Sequence, residues 1–382
     1  MPSAQVALVE RHLIHALTLE RLKAGEVQEV LRQMKRLERD LVRDLEKANL
    51  TSFRKDRYER LLQQARETLR GHYKTIRDTQ QEKLEQVVGL EGAWTVQALN
   101  RTISDPVGVY LDIASVKWTL DQIRAIAGKA VIDNEITKSW WAKQATDTRR
   151  RFADTVKQGL LRGSTTPEIV RLVRQDVLPV SRQQAEALVR SSIQTVTHEA
   201  RRETYIQNED LIKGIQQIST LDTRTSIICV AYSRKQFDNN RNPIGHNLPY
   251  KNGVPRHFQC RSTEVAVLKS FSELSGKPLP QADNQTIDNL FRARLASMGW
   301  DEDRIAAARR RTQSSLDGQI SSEITFQNFL TRKGVGFQDQ VLGKGKADLF
   351  RRGIVRDIAQ LLNFKGNPLT LQQLKAQFGV GE

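Results

Sequence analysis

Residues 214–229 read G-I-Q-Q-I-S-T-L-D-T-R-T-S-I-I-C, and residues 255–268 read P-R-H-F-Q-C-R-S-T-E-V-A-V-L. Each contains a short run of aliphatic and β-branched residues, Ile215 to Thr220 and Ser262 to Leu268, which predicts a strand. Between the two runs lie both cysteines of the chain, Cys229 and Cys260, and two of its six histidines, His246 and His257. The segment joining them, F-D-N-N-R-N-P-I-G-H-N at 237–247, is made of turn-forming residues. A compact α+β module built on a short β-hairpin is expected here.

On either side the pattern is helical. Val27, Val30, Leu31, Met34, Leu37, Leu41 and Leu45 recur at three- and four-residue steps, as do Tyr58, Leu61, Leu62, Ala65, Leu69, Tyr73 and Ile76. The break at Asn49-Leu50-Thr51-Ser52, with Thr51 or Ser52 as cap, predicts a helical hairpin, a coiled-coil-like arm that packs on itself or a neighbour. Asp105-Pro106 and Gly108 mark a junction. Further helices are expected over Glu135 to Leu161, ended by Gly163, and from Thr165 or Thr166 with Pro167 and a capping Glu168. Pro179 is read as a break, and a long helix from Arg182 to about Asn208 follows. That helix gathers Arg190, His198, Arg201 and Arg202 opposite its apolar line, which reads as a solvated face, with a phosphate- or partner-binding ridge as the alternative.

Beyond the central motif, Pro278 to Asn284 reads as a linker, and helices are expected at Gln285 to Ser297 and from Trp300 to Arg311. A short last helix is capped by Thr370. The fold class is therefore mainly α with a small α+β module. It divides into an N-terminal helical arm (1–105), the central module (119–268) and a helical C-terminal region (285–382).

The net charge is 60 − 44 = +16, spread evenly: successive hundreds of residues carry +3, +4 and +5, and the last 82 carry +4. A diffuse excess suits non-specific contact with polyanionic double-stranded DNA better than a single base-reading groove. No stretch reaches the roughly 20 apolar residues of a membrane span. Met1 to His15 hold Glu10 within their apolar run and lack a basic start, which argues against a secretory signal. Two cysteines exclude a disulfide-stapled scaffold, so a reducing intracellular origin is expected.

Cys229, His246, His257 and Cys260 are the one grouping with metal-ligand character. The paired C-x-x-C knuckles of a zinc site are missing, because Ser226 and Ser262 stand where partner cysteines would be. No cofactor is therefore expected, with structural zinc as the alternative. Two buried cysteines packing the hairpin beside a hydrogen-bonded His257 is the favoured state. Asp222 and Arg224 read as a structural pair, Asp222 holding the turn and Arg224 bridging its halves. Arg256 and Arg261 either do the same for the second strand or face nucleic acid. Gly343-Lys344-Gly345-Lys346 is not a phosphate loop and no nucleophile elbow occurs, so no catalytic residues are assigned and no enzyme is expected.

The ordered set Leu221, Asp222, Arg224, Thr225, Cys229, then Pro255, His257, Cys260 and Arg261, preceded by Gly159, Gly163, Ile169 and Arg190-Ser191, resembles the phage Mu F-like, or minor head protein, family of tailed bacteriophages. Ser192, Ser226 and Ser262 depart from residues common in that family. The resemblance implies a minor capsid protein that acts in head morphogenesis. It would sit in the virion, at the portal vertex or capsid interior, with the portal or major capsid protein and packaged DNA as partners. A metal-dependent nuclease using His246 and His257 is the alternative function.

Overall fold

The computed structural model describes residues 4–48, 55–104, 112–128, 131–132, 135–220, 222–251, 253–269 and 326–380. The linker at 278–284, the helices expected at 285–297 and 300–311, the caps Thr51 and Ser52, and the junction at 105–108 lie outside the described residues.

The chain is mainly helical with one small antiparallel sheet. Helix α1 (Ala4–Lys47) and α2 (Lys55–Ser104) form the predicted hairpin, and α1, at 44 residues, is about 65 Å long at 1.5 Å per residue. Val27, Val30, Met34, Leu37, Leu41 and Leu45 on α1 meet Leu61, Ala65, Leu69, Tyr73 and Ile76 on α2 in one buried seam. Helix α2 runs unbroken through Gly89 and Gly92. Gly92 is a notch for packing, since a Cβ there would sit 2.8 Å from the Trp118 ring.

Next come α3 (Leu120–Gly128), a two-stranded ribbon of β1 (Val131–Ile132) and β2 (Glu135–Ile136), and α4 (Thr137–Leu161). Gly163, at φ 71°, ends α4: the Ser164 amide reaches back to the Gly159 carbonyl at 2.9 Å. Helix α5 (Thr166–Leu172) starts at Thr165, whose amide is capped by Glu168 at 2.7 Å, the predicted box. Pro179 does not break the next helix. A π-helical turn (Val173–Val177) leads directly into α6 (Leu178–Ile206), and Pro179 falls in the first turn of α6, where a missing N–H leaves no bond unmade.

The predicted strands pair with each other. β3 (Ile212–Ile218) and β6 (Thr263–Leu268) run antiparallel, Gln217 opposite Glu264 and Ile218 opposite Thr263. The segment read as turns supplies two more short strands, β4 (Gln236–Asp238) and β5 (Pro243–Ile244), giving the order β5-β4-β3-β6. Helix α7 (Ile227–Tyr232) carries Cys229 between β3 and β4.

The C-terminal region contributes α8 (Phe326–Thr331), α9 (Val335–Leu342), α10 (Lys344–Arg351), a 3-10 turn (Ile358–Leu361) and α11 (Leu371–Phe378). Thr370 caps α11, accepting from the Gln373 amide at 3.2 Å.

Two large buried clusters result among the described residues, beside a small one of Cys229, Val254 and Cys260. One joins the hairpin to α4, α5 and α6. The other joins Leu8, Val9 and Leu13 of α1 and Leu99 of α2 to the sheet and to C-terminal residues such as Phe326, Leu361 and Leu374. The arm thus packs on itself and along α6, and its two helices enter both cores. Among the described residues, no helix is long and apolar enough to cross a membrane.

Candidate metal centre

Ser226 caps α7, accepting from the Cys229 amide at 3.4 Å, and so sets Cys229 in the first turn of that helix. From the other end of the module, the loop before β6 brings in His257 and Cys260. The Cys229 Sγ lies 3.6 Å from the Cys260 Sγ and 3.3 Å from His257 Nε2. All three ligand atoms fall within 4.8 Å of one another, and both thiols are buried and free of any disulfide.

Zinc–sulfur bonds of about 2.3 Å and zinc–nitrogen bonds of about 2.0–2.1 Å, arranged tetrahedrally, place neighbouring ligand atoms roughly 3.5–3.8 Å apart. The two spacings from Cys229 come close to this; the Cys260–His257 spacing lies within 4.8 Å, and His257 Nε2 also meets Ser226 Oγ at 2.9 Å. His257 Nδ1 faces the Phe258 carbonyl oxygen at 2.9 Å, the kind of contact that fixes a ligating imidazole with Nε2 toward the ion. The residues therefore fit a zinc ion held by two sulfurs and one nitrogen, with a fourth position for water.

The hydrogen bond between the thiols holds Cys260 well below the ordinary thiol value and pushes Cys229 well above it, so the pair favours one thiolate and one thiol. The same Cys260 raises the pKa of His257, although burial works against it.

His246, the fourth candidate ligand, is not part of the group. Its Nε2 lies 2.8 Å from the Gln236 carbonyl oxygen, its Nδ1 accepts from the Leu248 amide at 3.2 Å, and its ring meets Phe237 edge-on. Both ring nitrogens are used in fixing the β4–β5 turn.

Helix α6 clamps the loop that carries the cluster. Ser191 Oγ accepts from the Gln259 amide at 2.8 Å, and Gln194 Nε2 donates to the Ser262 carbonyl at 2.7 Å. Arg201 donates to Thr263 Oγ1 and to Glu91. The face of α6 expected to be solvated is thus largely an interior one: Arg201 is 2% exposed and His198 4%, while Arg190 is held between Glu186 and Glu20. Only Arg202, paired with Glu199, stays near the surface. The sequence signal was the hydroxyl- and amide-rich run S-S-I-Q-T-V-T at 191–197, poor helix formers that pay off only when their side chains bond to something buried.

Asp222 does hold its turn, accepting from the Arg224 amide at 3.0 Å. The bridge between the two halves of the module, however, is Arg261 and not Arg224. Arg261 forks both Asp222 oxygens at 2.6 Å each, whereas Arg224 is 79% exposed and reaches Asp222 only at 3.4 Å. Partial burial pushes Asp222 up, but the Arg261 fork outweighs it and holds the carboxyl at about 2. Arg256 stacks 3.7 Å from the Tyr232 ring centre and donates to Gln217 and to the Lys251 carbonyl.

Behind the sheet, Glu264 is fully buried beside His198 (3.5 Å) and accepts from the Tyr250 hydroxyl at 3.1 Å. Burial raises Glu264 to about 7 and lowers His198 to about 3. A carboxyl raised from 4.5 contributes stability that is full below 4.5 and is lost as pH rises through about 7. Glu264→Gln is therefore expected to gain on the wild type by about 1.4 kcal/mol per pH unit across that window. Urea unfolding at several pH values measures it, and a gap that stays constant with pH refutes it.

No family model matches the chain, and no curated protein or solved structure matches it either.

Proposed function

We propose that this chain is a minor capsid protein of the Mu F-like kind, acting in head morphogenesis of a tailed phage. It docks on the portal or inner capsid and touches packaged DNA without sequence choice. What supports the reading is that several of the residues carrying the resemblance are bonded to one another or to the same loop. Asp222 is tied to Arg261, Cys229 to His257 and Cys260, and Ser191 of α6 to Gln259. Such a unit has the character of a rigid scaffold, and the +16 net charge suits it to work beside crowded phosphates. In this reading the Cys229–His257–Cys260 group would hold a zinc ion that ties α7 to the loop before β6, and the hairpin supplies a long surface for protein partners.

Mass spectrometry of purified procapsids and mature particles, quantified against the portal, tests the proposal. The chain is expected in one or both at low copy number, and absence from both overturns it. Duplex binding is expected to be indifferent to sequence, with the logarithm of affinity falling linearly as the logarithm of salt rises.

A further inference from the structure

A cavity of about 740 Å³ opens between α1, α6 and the two loops that carry Arg224 and Cys260. Its size is that of a small-ligand site, and its lining is amphipathic. Leu17, Leu19 and Phe258 are apolar, whereas Lys23, Arg190, Arg201, Arg224 and Arg261 bring five cations against two carboxylates, Glu20 and Glu186. Counting also Glu91 and Asp222, which pair with Arg201 and Arg261 without lining the cavity, and the Cys260 thiolate, which does line it, five positive charges face five negative ones, so the case for an anion rests on the donors left unmatched.

Two of those cations have donors to spare. Arg201 spends Nε on Glu91 and Nη1 on Thr263, but its buried Nη2 has no partner among the described residues. A buried charged donor left unmatched is costly and calls for an acceptor. Arg224 is loosely held, because Asp222 already gives both oxygens to Arg261. One donor is deep and one exposed, so an acceptor with several oxygens could meet both.

We propose that this cavity binds a phosphate-bearing ligand of nucleotide size, the phosphate held by Arg201 and Arg224 and the organic part lying against Leu17 and Phe258. The phosphate chemistry follows from the cavity itself. The choice of a nucleic-acid terminus as its source rests on the particle reading above.

Calorimetry on the purified full chain tests this with two probes, inorganic phosphate and a short oligonucleotide with or without a 5′-phosphate. Saturable one-to-one binding of the phosphorylated oligonucleotide is expected. Arg224→Ala, at an exposed position, is expected to weaken it roughly tenfold, the effect of losing one charge-assisted hydrogen bond. Leu17→Trp, which fills space and leaves the charge intact, is expected to weaken the oligonucleotide more than inorganic phosphate. If phosphate alone binds as tightly as the oligonucleotide, the ligand is the free anion and the terminus assignment falls.

The cavity proposal itself fails if neither variant changes affinity, or if binding follows the metal content of the Cys229–His257–Cys260 group and ignores Arg224. It also fails if long duplex binds equally well to wild type and both variants while phosphate does not compete. That last result leaves non-specific DNA contact, and so the particle reading, standing.

Discussion

Glu91→Ala is expected to cost the chain about 3–5 kcal/mol, because it strips the partner from a buried guanidinium. Glu91 and Arg201 are each 2% exposed, on helices 110 residues apart in sequence. His15 closes the group from α1, 2.8 Å from the second Glu91 oxygen and stacked on Trp94 at 3.7 Å. Burial pushes the Glu91 carboxyl up, yet Arg201 and His15 outweigh it and hold it below its ordinary value. Its contribution is thus present above the ordinary carboxylate pKa and is lost as pH falls through the lowered one. The exposed pair Arg352–Asp348, 3.4 Å apart, is the control: Asp348→Ala should cost less than about 1 kcal/mol. Urea midpoints of the two variants decide the matter, and a Glu91→Ala loss no larger than that of Asp348→Ala refutes it.

The second large effect concerns the thiols. Protein purified without chelator is expected to carry one zinc per chain. Cys229→Ala, His257→Ala and Cys260→Ala should each weaken the metal by at least about a hundredfold, beyond the 10–100-fold typical of losing an outer-shell contact. His246→Ala should retain it, since that ring serves the β4–β5 turn. Removing the ion should lower the melting temperature and make both thiols reactive, because metal affinity and folding are linked. Elemental analysis, thermal unfolding and thiol titration together test this. A metal-free protein with its melting point indifferent to added zinc leaves two packed cysteines, the state expected from the missing C-x-x-C partners.

What the sequence made legible was local. Periodic apolar positions marked the hairpin, Thr165–Glu168 and Thr370 marked helix starts, and the β-branched runs marked β3 and β6, because each depends on neighbours a few residues away. What it hid was long-range. Arg201 looks like any surface arginine until Glu91 arrives from another helix, and nothing adjacent to Asp222 says that its partner is Arg261 and not Arg224. Strands of three and two residues, β4 and β5, carry too little pattern to stand out from turns. Pro179 misled because proline is disruptive inside a helix yet harmless in its first turn, and only the preceding π-helical turn tells the two apart.

The second buried cluster holds Leu8 and Leu13 in one contiguous group with Leu361 and Leu374, and the strand that α1 packs on is β6. Closure over some 260 residues slows folding, and during synthesis the start of α1 must wait with an apolar stripe uncovered until β6 leaves the ribosome. The nascent chain therefore has an interval in which it can be captured by a chaperone or an assembly partner, and a premature stop anywhere before Thr263 would make that interval permanent.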